Sequence, residues 1–320
     1  MGDITSMPLA IAAVLAGLTL LMLASDRLVV SAVRVSQAIG VSAILIGALV
    51  VGLGTSLPEL LVSVLASIED RIDVAMANVV GSNIANVTLV LGFAAIVAPV
   101  SASRLTLRRE GVLMFFALTG LTAVLWDGNV EVWEGGMLLA GMVIAIYFLV
   151  RWSMYDAATE AAAAAEIEEM VERSRGPIIL EIVIGFGALV VTVVAANFLL
   201  EGGLAIGREV GLSDAFLGVM LGVGTSLPEL ATAVAAIRRR ESDLVVGNVL
   251  GSNIFNSLAV AGAAGAAGGG VLMDLDPPLL LLMLAAALVA GVFSRTGLRL
   301  GRVEGVFLVI GFLLFTVASY

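Results

Sequence analysis

Cysteine and histidine are both missing from this 320-residue chain, and lysine is missing too, so all sixteen basic residues are arginine. Without cysteine there are no disulfides and no thiolates to act as nucleophiles or metal ligands. Without histidine a histidine-bound transition metal is excluded, and any proton relay must run through carboxylates. The 26 acids outnumber the 16 bases, and a formal net charge of −10 argues against a nucleic-acid partner, whose phosphates need a basic face. Charge of either sign is scarce: only 13% of residues carry it, whereas 60% are hydrophobic and the mean hydropathy is +1.12. A water-soluble domain has nowhere to bury so much apolar surface, so the fold class is an all-α polytopic membrane protein with lipid as a partner. The opening MGDITSMPLA lacks the basic stretch of a cleavable signal, and the first apolar run is expected to be retained.

With about 20 apolar residues as the length of a span, ten transmembrane helices are expected, at 8–33, 41–67, 72–98, 110–126, 131–152, 177–200, 212–237, 243–268, 277–294 and 303–319. The polar stretch 153–176, with EAAAAAEIEEMVERSR, reads as a solvated helical linker between a first half at 1–152 and a second at 177–320. If the N-terminus lies outside, thirteen of the sixteen arginines fall on inner loops and only Arg71 and Arg208 on outer ones, Arg27 lying within the first span. That asymmetry follows the positive-inside rule and places both termini outside. Asp26 and Arg27 read as an interfacial pair, Glu181 as reaching the interface, and the run GAAGAAGGG at 262–270 as a tightly packed or fraying helix end.

A shift of 170 residues superposes GLGTSLPEL at 52–60 on GVGTSLPEL at 222–230, and NVVGSNIAN at 78–86 on NVLGSNIFN at 248–256. Two separated motifs in one register indicate duplication. Upstream the register slips by one, GVSAILIG at 40–47 pairing with GLSDAFLG at 211–218. Each half has an odd number of spans, five, so the second enters the membrane opposite to the first. Secondary transporters use such inverted repeats to build a binding site at the midplane.

The motifs carry oxygen chemistry in an apolar setting. Pro58 and Pro228 have no N–H, and each ring clashes with the carbonyl four residues back, so the backbone near Gly54 and Gly224 is expected to kink or unwind. Carbonyls freed at that depth are tolerable where they line a cavity or bind a cation. Thr55, Ser56 and Glu59 add two hydroxyls and a carboxylate; Thr225, Ser226 and Glu229 repeat the set. Ser82 and Asn86 share a helix face, as do Ser252 and Asn256. Hard oxygen ligands suit calcium, sodium or another hard cation. A carboxylate in the bilayer costs about 2.5 kcal/mol or more, which makes a functional site the default reading over a proline-glycine hinge.

Taken together, GTSLPE in both halves with GSNIAN and GSNIFN after them resembles the paired alpha-repeats of the cation/calcium antiporter superfamily, most closely its prokaryotic sodium/calcium exchanger branch. The resemblance implies ten helices in inverted five-helix halves, with helices two, three, seven and eight as the ion-binding core and the long tilted helices one and six sliding past it. It implies Glu59 and Glu229 as carboxylate ligands. Thr55, Ser56, Thr225, Ser226, Ser82, Asn86, Ser252 and Asn256 would surround them, joined by the backbone carbonyls of Gly52 and Gly222. Asparagine at 256, where potassium-dependent relatives carry aspartate, points to potassium independence. The expectation is an antiporter, not an enzyme, in a prokaryotic cell membrane. It would have no cofactor, carry Na⁺ and Ca²⁺ as substrates, and extrude calcium electrogenically. Calcium/proton exchange through the same glutamates is the alternative, and a channel or a scaffold the reading from another class.

Overall fold

The computed structural model describes residues 6–164, 178–211, 224–272, 277–295 and 298–318. Gly222, most of the upstream half of the expected seventh span, and the second part of the expected linker lie outside the described residues. In chain order the elements are α1 (Met7–Ile39), α2 (Ala43–Thr55), α3 (Leu57–Ile68), α4 (Ile72–Val97), β1 (Val100–Ser101), α5 (Arg104–Arg108), α6 (Glu110–Leu125), β2 (Asn129–Val130) and α7 (Val132–Ala164). The second half follows with α8 (Ile178–Glu209), α9 (Leu227–Arg238), α10 (Ser242–Ala267), β3 (Gly270–Val271), α11 (Pro277–Arg295), β4 (Arg299–Leu300) and α12 (Arg302–Ala318). Among the described residues six helices are long and apolar enough to cross a membrane, and the bent pair α2–α3 makes a seventh. Shorter apolar helices α6 and α12, of 16 and 17 residues, and α9 occupy the remaining expected spans.

The fold is that of about ten transmembrane helices, and the differences lie at their ends. α1 continues to Ile39, where Gly40 at φ 69° turns the chain in the left-handed region and its N–H bonds the Ser36 carbonyl. α8 continues to Glu209 rather than stopping near 200. At about 1.5 Å per residue each exceeds the hydrocarbon thickness, so each must tilt or protrude. α7 runs to Ala164, into the segment read as a linker, because alanine and glutamate keep a helix going without an apolar environment.

Burial separates two classes of helix. The apolar windows of α4 and α10 are 72% and 89% buried, whereas those of α1 and α8 are only 22% buried. α4 and α10 therefore form the interior, and α1 and α8 face lipid. α1 and α8 lie antiparallel in backbone contact: a Cβ on Gly17 would stand 2.6 Å from the Leu199 nitrogen, and one on Gly202 2.8 Å from the Ala10 carbonyl. α10 presses on α2 as closely, a Cβ on Gly251 falling 2.3 Å from the Ala48 Cα. The glycine run packs rather than frays, with Gly262 against Gly135 and Leu139 of α7. Two short antiparallel ribbons tie the halves at their edges, β1 to β4 (Val100↔Leu300, Ser101↔Arg299) and β2 to β3 (Asn129↔Val271, Val130↔Gly270).

Asp26 and Arg27 do not pair with each other, because neighbours on a helix point about 100° apart. Each finds a partner in the other half. The Arg239 guanidinium donates to both Asp26 oxygens at 2.6 and 2.5 Å. Arg27 and Arg34 donate to Glu181 at 2.8 and 2.5 Å, and the Ser31 hydroxyl adds a bond at 3.2 Å. Glu181, expected only to reach the interface, thus pins α8 to α1.

Candidate ion-binding site

The two motif acids open helices. Ser56 breaks the span with φ −85°, ψ 10°, and Ser226 does the same with φ −89°, ψ 8°. Leu57–Pro58 and Leu227–Pro228 then start α3 and α9, proline standing in the first turn, where its missing N–H costs no helical bond. The bend between α2 and α3 is 46°. It falls at Ser56, two residues beyond the glycine where the proline clash was expected. Glu59 and Glu229 consequently sit in the first turn of their helices, where the helix dipole favours negative charge.

Backbone irregularity gathers at the same place. Three π-helical turns occur among the described residues: Gly47–Gly52, which ends at one expected carbonyl ligand, and Asn86–Val90 and Asn256–Val260, which each begin at an expected asparagine ligand. A π-turn widens the helix by one residue per hydrogen bond and re-aims its carbonyls, and such turns are frequent at functional sites.

The side chains converge across the repeat. The Ser56 hydroxyl of the first half donates to Glu229 Oε1 at 2.9 Å, and the Ser252 hydroxyl of the second donates to the Gly52 carbonyl at 3.2 Å. Thr55 turns its hydroxyl to the carbonyls of Val51 at 2.9 Å and Gly52 at 3.3 Å. Glu59 lies within electrostatic reach of Glu229. Glu59, Glu229, Thr55, Ser56, Ser226, Ser82, Asn86, Ser252 and Asn256 are all buried, and Thr225 is partly so. No arginine pairs with either acid among the described residues, which removes the hinge-with-ion-pair reading.

Buried polar atoms almost always have partners, yet here they do not. Both oxygens of Glu59, Oε2 of Glu229, the Ser226 hydroxyl and the whole side-chain amides of Asn86 and Asn256 lack a hydrogen-bond partner among the described residues. These atoms belong to the residues picked out by the motifs. Unpartnered oxygens beside two buried carboxylates have the chemistry that a hard cation takes as ligands. No group of three or more acids able to hold a metal forms among the described residues.

Two supporting residues escaped the sequence reading. Asn78 donates from Nδ2 to the Ser63 hydroxyl at 3.0 Å and the Glu59 carbonyl at 3.5 Å. Asn248 donates likewise to the Thr232 hydroxyl at 3.3 Å and the Glu229 carbonyl at 3.4 Å. They brace the helices that carry the acids. Their signal was the first letter of each repeated NV-GSN motif, one helical turn before Ser82 and Ser252 on the same face.

Similarity to known proteins matches this geometry. The family model described as sodium/calcium exchanger protein matches residues 9–151 and 180–320. The inner membrane protein YrbG of Escherichia coli K12 is 33% identical over 322 residues, 98% of each chain. The sodium/calcium exchanger MaX1 of Methanosarcina acetivorans is 29% identical over 345 residues, 96% of this chain and 97% of that one. The solved structure of the sodium-calcium exchanger NCX_Mj, soaked with Na⁺ and Sr²⁺, superposes with a TM-score of 0.82 at 26% identity, covering 98% of this chain and 100% of that one.

Proposed function

The chain belongs to the sodium/calcium exchanger protein family and is a cation/calcium antiporter, and from that membership we propose that it exchanges Na⁺ for Ca²⁺ by alternating access at the Glu59–Glu229 site. One observation carries the reading: Glu59, Asn86, Ser226, Glu229 and Asn256, all motif residues, are among the buried side chains whose polar atoms lack a partner among the described residues. Thr55, Ser56, Ser82, Thr225 and Ser252 complete the set with the Gly52 and Gly222 carbonyls. The halves at 1–152 and 177–320 each supply one acid, with the stretch 153–176 between them on the cytoplasmic side.

Two carboxylates balance one Ca²⁺. More than two Na⁺ in the same site would carry net charge across, at about 2.3 kcal/mol per charge per 100 mV, and make exchange electrogenic. With an ion bound, the charge crossing the low-dielectric barrier is compensated; bare carboxylates would have to cross desolvated and unpaired, at a cost that forbids the step. That prohibition converts two half-reactions into obligatory exchange. α1 and α8, locked together by Gly17, Gly202 and the Glu181 ion pairs, are the pair that moves over the interior formed by α4 and α10. Asn256 in place of an acid leaves no third charge for potassium. The membrane is the prokaryotic cell membrane, with both termini outside, and the working direction is calcium extrusion.

The test is ⁴⁵Ca²⁺ uptake into vesicles holding the purified protein, under outward sodium, proton or potassium gradients. Uptake that needs sodium, ignores potassium and responds to voltage is the expected result. Uptake driven by protons and indifferent to sodium would replace this reading with calcium/proton exchange, and flux without a counter-ion would make the protein a channel.

A further inference from the structure

Away from the ion site, two cavities meet at the end of the molecule where β1 pairs with β4. One is an apolar groove of about 340 Å³ between α4, α6, α10 and α11, with Val87, Leu91, Phe115, Leu250 and Gly291 among its walls. The other is an open polar cleft of about 570 Å³ whose charged lining is Arg240, Glu241, Asp243 and Arg299. The ribbon divides them. Side chains alternate across a strand, and the paired Val100 and Leu300 line the groove while the paired Ser101 and Arg299 line the cleft. Ala102 borders both. α10 makes the same transition along one face: Ser242 and Asp243 stand in the cleft, Val246 one turn on and Val249 and Leu250 two turns on stand in the groove. A single path therefore leads from charge to hydrocarbon within a protein that lipid surrounds.

An occupant that is charged at one end and apolar at the other is a phospholipid, and the lining selects its headgroup. Among the described residues no ion pair engages Arg240, Glu241, Asp243 or Arg299, so two cations and two anions stand side by side without neutralising one another through contact. Guanidinium groups suit a phosphate. Carboxylates suit a primary ammonium, which brings charge and hydrogen-bond donors. A purely anionic headgroup leaves Glu241 and Asp243 facing like charge, and a quaternary ammonium has no proton to donate to them. We infer that the groove and cleft together form a site for one phospholipid with a phosphoethanolamine headgroup, its phosphate on Arg240 and Arg299, its ammonium on Glu241 and Asp243, and an acyl chain in the groove.

Native mass spectrometry of the detergent-purified full chain tests it. Phosphatidylethanolamine, phosphatidylglycerol and phosphatidylcholine with identical acyl chains are offered at equal concentration. Phosphatidylethanolamine is expected to be retained at least about fivefold better than the other two, a difference of about 1 kcal/mol. The double variant Arg240→Gln with Arg299→Gln loses that retention. The double variant Glu241→Gln with Asp243→Asn reverses the preference toward phosphatidylglycerol. Gly291→Phe, at a position where a Cβ meets nothing within 4 Å, fills the groove and lowers retention of all three lipids. Thermal melting of each variant confirms the fold. Equal retention of the three headgroups by the wild type, a preference for phosphatidylglycerol, or retention that none of the variants changes overturns the proposal.

Discussion

The two halves of the molecule carry the same motif letters but hold their acids differently. Glu229 accepts a hydrogen bond from Ser56 of the opposite half; among the described residues Glu59 has no partner on either oxygen, and Ser226, the counterpart of Ser56, donates to nothing. The braces differ as well. Asn78 bonds Ser63, four residues beyond its acid, whereas Asn248 bonds Thr232, three residues beyond its own. The positions proposed as ligands are identical in the two copies, as a site whose ion dictates oxygen type and place requires. Positions that only support them have shifted, because any hydroxyl within reach supplies the same bond.

The largest effect expected from breaking it is at the acids themselves. Glu59→Gln and Glu229→Gln each leave one charge against a divalent cation in a low-dielectric site. Each should lower sodium-driven ⁴⁵Ca²⁺ uptake at least about 100-fold, which is about 2.7 kcal/mol. A variant that keeps wild-type uptake would remove that acid from the site and make the halves functionally unequal.

Next comes the serine pair. Ser56→Ala removes a donor to a buried carboxylate, a bond of about 1.5–3 kcal/mol, and should lower the melting temperature in sodium- and calcium-free buffer. Ser226→Ala removes a hydroxyl that has no partner among the described residues and should leave that temperature unchanged or slightly raised. Both should weaken calcium affinity several-fold if both hydroxyls are ligands, at about 1 kcal/mol for a lost bond. Equal melting temperatures for the two variants would erase the asymmetry seen between the halves.

The asparagine braces should matter less. Asn248 is fully enclosed, with its Oδ1 unpartnered, whereas Asn78 is partly exposed. Removing Asn248 strands the Thr232 hydroxyl and the Glu229 carbonyl away from water; removing Asn78 lets water reach Ser63. Asn248→Ala should therefore destabilise by about 1 kcal/mol more than Asn78→Ala, read as a difference in melting temperature. A larger loss from Asn78→Ala would mean that the first half, not the second, depends on its brace.

What was legible in the sequence follows the same division. The ten helices and the buried polar motif residues could be read because carboxylates, hydroxyls and amides stand out against hydrocarbon, and because the duplication prints them twice. The contacts that assemble the site could not. Ser56 meets Glu229 across 173 residues and Ser252 meets Gly52 across 200, and nothing local marks either partner. The π-turns at Gly47, Asn86 and Asn256 leave no trace in apolar periodicity, since one extra residue per turn is absorbed without changing which residues are apolar. Proline announced the break at the motif but placed it two residues early, because Ser56 rather than Gly54 takes the non-helical backbone. The lengths of α1 and α8 were underread because the ruler was the thickness of the bilayer, whereas packing between the two helices sets where they end.

The smallest effect separates the halves most cleanly. Arg239, just after α9, grips Asp26 of α1 with two bonds, so a helix of the pair proposed to move is fastened to the end of a helix that carries a motif acid. In the first half the register of the duplication puts Glu69 where Arg239 stands, and Asn197 of α8 where Asp26 stands, and these two cannot form an ion pair. The fastening therefore exists on one side of the inverted repeat only. Both side chains are more than 40% exposed, so the pair is worth at most about 1 kcal/mol. That is enough to change the ratio of two conformations about fivefold. Asp26→Asn should leave the melting temperature nearly unchanged while altering the initial rate of calcium uptake up to about fivefold, and high salt should abolish the difference between variant and wild type because it screens an exposed pair. Rates that coincide at low salt would show that α1 moves without regard to Arg239, and that the two sides of the repeat are mechanically alike.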